Sequence, residues 1–267
     1  MGIIISIALI GVGIYCSVFL RKKAIDDVTE IKFMKTKTID ELTEIFSQMD
    51  DSGLGDTYRE FVELKGIVND ENKTETPFSK KEVAYCESIT YEVLQETKEH
   101  IDSNGRRTTS TQKREEELSR EKSSQYISMK DNSSNNSVIL EINGYGCKFD
   151  IPETYDRFQS ESDIRRNPIN GVNITINNYS HNNSKLLGYR FKEKTINFSQ
   201  SLYVIGEAFR RDGKIYIGKP QDSKKPFIVT TKSEEDLINT SNTRAITLLI
   251  GGILLIIGGI IYLINNI

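Results

Sequence analysis

Two runs of unbroken apolar residues bracket the chain. Gly2–Leu20 reads GIIISIALIGVGIYCSVFL and Ala245–Ile264 reads AITLLIGGILLIIGGIIYLI, each without a charged side chain. A bilayer core of about 30 Å takes roughly 20 helical residues at about 1.5 Å each, so both runs predict spanning helices. A cleaved signal peptide is the competing reading of the first. It would want a basic start and a small-residue cleavage site, whereas the cations here follow the apolar run and Cys16-Ser17-Val18 is a poor site. The second run has no polar face along its length, which argues against a buried soluble helix.

Between the runs, apolar positions recur at shorter periods. Thr38 and Glu41 form a capping box, and Ile39, Leu42, Ile45, Phe46 and Met49 follow at helical spacing until Gly53 and Gly55. The polar face of this helix is acidic, so its apolar stripe is expected to dock on the following domain rather than on lipid. Period two takes over at Phe61, Glu63 and Lys65, which alternate with Val62, Leu64 and Gly66. Val83–Leu94 is rich in β-branched and aromatic residues, with Asn69–Asn72 and Pro77 as punctuation. Asp102–Asn136 turns strongly polar and reads as part helix or long hairpin arm and part loop, its charges a solvated face.

The strand pattern resumes in SVILEINGYGCKFD, where Asn143-Gly144 is a hairpin signal. PETYDRFQ and the Asn-rich stretch to Asn183 read as irregular. Asp212-Gly213 joins Leu202–Phe209 to Lys214–Gly218 as a two-residue hairpin turn would. Leu202, Val204, Gly206 and Ala208 share one face of the first strand, and Tyr203, Ile205, Glu207 and Phe209 the other. Gly206 would permit close packing or a bulge. Phe227–Thr230 gives one more strand, and Ser233 with Asp236 caps a helix leading into the second span.

The expected fold is therefore a mainly β domain, barrel- or sandwich-like with short helices, between two transmembrane α-helices. Residues 1–20 form the first span and 21–56 a basic flank with the juxtamembrane helix. The β-rich domain covers 57–238 with a polar insertion at 102–136, and 245–264 form the second span. A mean hydropathy of −0.42 and a net charge of −3 look soluble only because the apolar residues sit at the ends. Arg21, Lys22, Lys23, Lys32, Lys35 and Lys37 follow the first span, and Lys232 and Arg244 precede the second. The positive-inside rule then places the middle domain in the cytoplasm and both termini opposite. Cys16 lies in a span, and the spacing of Cys86 and Cys147 requires no disulfide.

Chemistry finds few candidates. His100 and His181 are the only histidines and, like Cys86 and Cys147, stand alone, so neither a metal site nor a cofactor is expected. No G-x-S-x-G elbow and no phosphate-binding glycine loop occurs, and cations are mixed with acids, which speaks against a nucleic-acid partner. Glu193 and Glu207 lie in the best-patterned region. Paired carboxylates hydrolyse glycosides, but both are read first as structural or interaction residues, with Glu207 at the surface. No residue is assigned as catalytic, cofactor-binding or metal-ligating. In the second span Gly251-Gly252 and Gly258-Gly259 recur seven residues apart, and Gly11 and Gly13 offer a matching surface in the first. Such glycines predict that the spans pack on each other or on a second copy.

Several of these pieces recur together in one family. The span, the Thr-rich entry to a short helix, F-V-E-L-K-G at Phe61–Gly66 and T-P-F-S at Thr76–Ser79 with Tyr85-Cys86 come first. YRFKEKTI at Tyr189–Ile196, SLYVIGEA at Ser201–Ala208, PFIV at Pro226–Val229, KSEEDLI at Lys232–Ile238 and a second span follow. This resembles the GIDE family, the beside-a-membrane domain of mitochondrial and chloroplast outer-membrane E3 ubiquitin ligases. The resemblance implies a membrane-anchored β-rich domain and, in eukaryotic relatives, ligase activity. Those ligases carry a zinc-binding RING after the second span, whereas this chain stops at Ile267 and looks like compact prokaryotic members. No catalytic or zinc-ligating residue carries over. The expected function is a non-enzymatic interaction or scaffold module that binds a protein or lipid partner at the bilayer. A ligase-related protein using a RING supplied in trans is the alternative, and a carboxylate-dependent hydrolase the third reading.

Overall fold

The computed structural model describes residues 2–25, 34–69, 73–101, 105–133, 135–142, 146–167, 169 and 184–265. The first apolar run is helix α1 (Gly2–Ile25), wound as a π-helix over Tyr15–Leu20. Strand β1 (Thr36–Lys37) precedes helix α2 (Ile39–Asp51) and strand β2 (Arg59–Val68). Next come β3 (Thr74–Glu75), β4 (Glu82–Val83), and the long pair β5 (Tyr85–Ile101) and β6 (Arg107–Lys122). β7 (Tyr126–Lys130), β8 (Ser137–Glu141), β9 (Cys147–Asp150), β10 (Glu153–Ser160) and helix α3 (Glu161–Arg166) follow. β11 (Ser184–Ile196), β12 (Ser201–Arg211), β13 (Lys214–Gly218), β14 (Phe227–Thr230) and helix α4 (Glu234–Ile264) complete the chain.

Five strands close a barrel in the order β2-β7-β8-β13-β12 and back to β2. Every contact is antiparallel except β8 with β13, which is parallel. Numbered along the chain, that is order 1-2-3-5-4-1 with strands 3 and 5 parallel, the connectivity of an OB-type Greek-key barrel. Closure removes the barrel's sheet edges and gives every strand an inner face. Val62, Leu64, Ile127, Met129, Val138, Leu140, Leu202, Val204, Ala208 and Ile217 fill it, as period-two alternation requires. Asp212 at φ 51° and Gly213 at φ 73° make the β12–β13 turn, the left-handed pair that a tight hairpin needs. A Cβ on Gly206 would lie 2.9 Å from the Gly218 carbonyl oxygen, so this glycine serves close packing.

Helix α2 plugs the barrel. Thr38 accepts the Glu41 N–H, Glu41 accepts the Thr38 N–H, and Ile39, Leu42 and Phe46 join the barrel core. Asp131, in the β7–β8 connection, accepts the Ile39 N–H at 2.7 Å and the Ser133 N–H at 2.9 Å. Burial pushes the Asp131 carboxyl up, but the Ser133 hydroxyl and these amides outweigh it and hold its pKa below the ordinary 3.8.

A second, four-stranded sheet grows from the barrel in the order β10-β11-β5-β6. The polar insertion is thus largely a hairpin arm, with β6 paired along β5. Two readings of the sequence need correction. Tyr126–Lys130, placed within the polar insertion, is a barrel strand, because Ile127 and Met129 alone suffice for its inner face. Glu153–Ser160, read as irregular, is strand β10, an edge whose residues are mostly exposed and show no alternation. The turn signals at 70–72 and 143–144, His181, Lys32 and most of the Asn-rich stretch lie outside the described residues.

Helices α1 and α4 are long and apolar enough to cross a bilayer, and they flank the β domain. They pack on each other through one glycine of each pair. A Cβ on Gly252 would meet the Gly13 carbonyl oxygen at 2.6 Å, and one on Gly259 the Ile10 side chain at 2.8 Å. Gly11, Gly251 and Gly258 have open space around them. Gly252 and Gly259 thus share the face turned to α1, and Gly251 and Gly258 do not belong to it.

Two outcomes follow from this packing. Gly252→Leu should lower the stability of the solubilised protein by about 1–3 kcal/mol through overpacking, while Gly251→Leu should change its melting little. Equal effects would place the interface elsewhere. Because the folded Asp131 pKa is depressed, its contribution is complete above pH 3.8 and is lost as pH falls through the lower folded value. Asp131→Asn should flatten that acid limb in a pH series of melting temperatures.

Candidate functional site

The motif segments converge on the outside of the barrel. On β2, Phe61, Glu63 and Lys65 point away from the core, and β12 sets Glu207, Ile205 and Tyr203 opposite them in register. Tyr203, Ile205 and Ile228 form a separate apolar cluster with Phe61, Met34 and Leu237. Met34 belongs to the segment after the first apolar helix, and Leu237 to the first turns of α4. One face of the barrel therefore receives both connections to the apolar helices.

A polar seam borders this cluster. Lys65 Nζ donates to Glu234 Oε2 at 2.7 Å and lies 3.6 Å from Glu63 Oε1, which also accepts the Thr36 hydroxyl. The Glu234 hydrogen bond is the main reason the Lys65 pKa is raised. Burial first, and then the charge of Glu63, push the Tyr203 phenol up. Glu63 Oε2 and the Tyr203 hydroxyl are buried without a hydrogen-bond partner among the described residues. The Lys65 side chain is 46 % exposed, so its ion pair contributes on the order of 1 kcal/mol or less. The apolar contacts of Met34 and Leu237 carry more of the attachment.

The two carboxylates singled out in the sequence sit apart and are both occupied. Glu193, on β11 in the four-stranded sheet, has no accessible surface. Its Oε1 accepts the Phe78 N–H at 2.6 Å and the Ser79 N–H at 3.1 Å, and Oε2 accepts the Ser79 hydroxyl. The T-P-F-S turn is thus wrapped around Glu193, joining two motif segments distant in sequence. Glu207, on β12, is buried rather than at the surface. It accepts from Arg59 Nη1 at 3.0 Å and from the Gln221 N–H at 3.3 Å. The reason is that the Arg59 side chain from β2 and the segment carrying Gln221, between β13 and β14, close over this part of the outer face. The two glutamates share no hydrogen-bond partner, and neither presents a free oxygen to a substrate.

Other reactive groups are equally withdrawn. Cys86 and Cys147 are free thiols, and burial pushes both pKa values up to about 12. Such thiols hold almost no thiolate near neutrality. Among the described residues no group of three His, Cys, Asp or Glu side chains is placed to hold a metal ion. An open groove of about 700 Å³ runs between α2 and the barrel wall, lined by Phe46, Tyr126, Tyr216, Arg210 and Lys214 among others. Arg210 is ion-paired with Asp50, and Arg211 stacks over Tyr216 at 4.1 Å. Among the described residues, the groove lining includes no His, Cys, Asp or Glu side chain.

Sequence reasoning missed Arg59, Thr36 and the buried state of Glu63. The available signal was the same-face spacing of Phe61, Glu63 and Lys65, which marks an outward face but not what covers it.

The fold and its attachments define a β-barrel domain held between two apolar helices. A family model for GIDE, described as E3 ubiquitin ligase, matches residues 95–263. The match covers more than half of the chain, and the chain belongs to the GIDE family. It starts within β5, leaving β2 and the T-P-F-S turn ahead of the matched residues. No curated protein and no solved structure matches the chain.

Glu193→Ala should strand the Phe78 and Ser79 donors and cost about 3 kcal/mol or more of stability. Glu193→Gln, which keeps the shape and one acceptor, should cost less. Thermal denaturation of both variants checks this, and a neutral alanine variant would show that the turn is held by other contacts.

Proposed function

We propose that this protein is a two-pass membrane protein whose GIDE domain faces the cytoplasm and holds a protein partner at the bilayer without catalysing a reaction itself. One observation carries the reading. The barrel face beneath Met34 and Leu237 is packed against both helix connections, and the buried carboxylates are consumed by internal hydrogen bonds. A domain so built is fixed close to the membrane and offers surface rather than reactive groups. The cations at Arg21, Lys22 and Lys23 support the cytoplasmic placement.

The family description favours a second reading, in which the domain works within a ubiquitin-ligase assembly. Cross-braced zinc modules draw on Cys and His for two tetrahedral sites. These 267 residues contain 3 Cys and 2 His, too few for two such sites, so in this reading the zinc module lies outside them.

Two measurements test the proposal. Ser110 is exposed on the arm. Ser110→Cys in a background without other cysteines should resist an impermeant thiol reagent in intact cells and react after lysis. Labelling of intact cells would reverse the orientation. Incubated with ubiquitin, activating enzyme and conjugating enzyme alone, the purified protein should acquire no ubiquitin; transfer would make it a ligase in its own right.

A further inference from the structure

The arm carries a long open edge. β6 is the last strand of the order β10-β11-β5-β6 and, among the described residues, pairs only with β5. Apart from the half-buried Glu116, every residue of Arg107–Lys122 is exposed. The outward N–H and C=O groups of such a strand are a template for another strand. Natural edges are usually blunted by charge and by bulges, and β6 has both, with Leu118 bulged out of the register between Tyr91↔Glu117 and Thr90↔Ser119.

The order of the charges is informative. Before the bulge the strand reads Lys113-Arg114-Glu115-Glu116-Glu117, two cations followed by three acids. Hydrogen-bonded and non-hydrogen-bonded pairs alternate along an antiparallel ladder. Two identical strands related by a two-fold axis can therefore meet only in registers that set one residue opposite its own copy. Centring on Arg114 opposes two arginines, and centring on Glu116 opposes Glu115 with Glu117 and Glu116 with itself. Centring on Glu115 sets Lys113 against Glu117 and Arg114 against Glu116 on both sides of the axis. That register gives four opposite-charge pairs and one like pair.

We propose that the β6 edge is a homotypic docking surface: two copies join antiparallel with Glu115 on the axis, extending the four-stranded sheet to eight strands. The existing ion pairs do not oppose this. Arg114 meets Glu96 and Glu116, and Glu115 meets Arg190, all at exposed or half-exposed positions. Pairs of that kind are weak, and the second copy arrives on the open side of β6, where each charge gains a further neighbour. Lys113 has no ion pair among the described residues. The inference is independent of which side of the membrane the domain occupies.

The test uses the full-length protein in detergent and in nanodiscs. With Cys16, Cys86 and Cys147 changed to Ser, Glu115→Cys should form a disulfide-linked dimer under mild oxidation. Thr109→Cys, which lies six residues from the axis and is not opposite its own copy in this register, should crosslink about tenfold more slowly. Lys113→Glu with Arg114→Glu should weaken dimerisation by about tenfold or more. Adding Glu116→Lys and Glu117→Lys to that same chain restores every opposite-charge pair and should restore the dimer. These side chains are exposed or, at Glu116, half-buried, so the melting temperature should change little and serves as the check on folding. A protein monomeric at all attainable concentrations would overturn the proposal. So would a dimer indifferent to the charge reversal, as one formed through the apolar helices would be, or equal crosslinking at 109 and 115.

Discussion

Everything else in the domain rests on the pairing of β2 with β12. Ser201↔Ile67 through Phe209↔Arg59 form an antiparallel ladder between segments far apart in sequence, and that ladder closes the barrel. Its inner side contributes Val62, Leu64, Leu202, Val204 and Ala208 to the core. Its outer side carries Phe61, Glu63, Lys65, Tyr203 and Ile205, the ground on which the two helix connections rest. A slip of one residue would exchange the two faces. It would bury Glu63 and Lys65 in the core and leave Met34 and Leu237 without an apolar seat. Core formation and the seating of both apolar helices thus depend on the same register.

The buried acids follow from that arrangement. An ionised carboxylate withdrawn from water is costly unless donors replace its hydration. Glu193 is supplied with backbone N–H groups and a hydroxyl from one turn, and Glu207 with a guanidinium and an amide. Each acid ties a loop or strand to the sheet beside it. Both were read first as structural or interaction residues, and a reaction at either would require breaking the contacts that position it.

The sequence was most legible where one residue's conformation or a strong periodicity decides the outcome. Asp212-Gly213, the faces of Leu202–Phe209, the Thr38 and Ser233 caps and the two apolar runs are all of this kind, and the structure places each as read. It was least legible where pairing alone makes the strand. β6 exposes nearly all its side chains and β10 most of its own, so no alternation of apolar and polar residues betrays them. β7 is short, and only Ile127 and Met129 mark it within a polar stretch. For the buried glutamates the limit is different. Periodicity places Glu207 on the outer face, but the Arg59 guanidinium and the Gln221 amide that cover it there are brought in by tertiary pairing.

The origin of the arm explains why so polar a structure can be ordered. β5 and β6 belong to the insertion between the first and second barrel strands, and β10 and β11 to the insertion between the third and fourth. A hairpin alone is marginally stable in water. Here β11 pairs with β5 from Ile196↔Tyr85 to Ser184↔Glu96, so each insertion supplies the inner neighbour of the other. Tyr85 and Ile196, at the base of this ladder, are themselves in the barrel core. The two insertions are therefore a single sheet rooted in the barrel, and the barrel's closure fixes where both roots stand. From Tyr85 the arm extends 17 residues along β5, a reach of roughly 55 Å at about 3.3 Å per residue. Its shared root, rather than side-chain burial along β6, lets the arm hold the charged run Lys113–Glu117, paired with Gln95–Tyr91, about 20–33 Å along β5 from Tyr85.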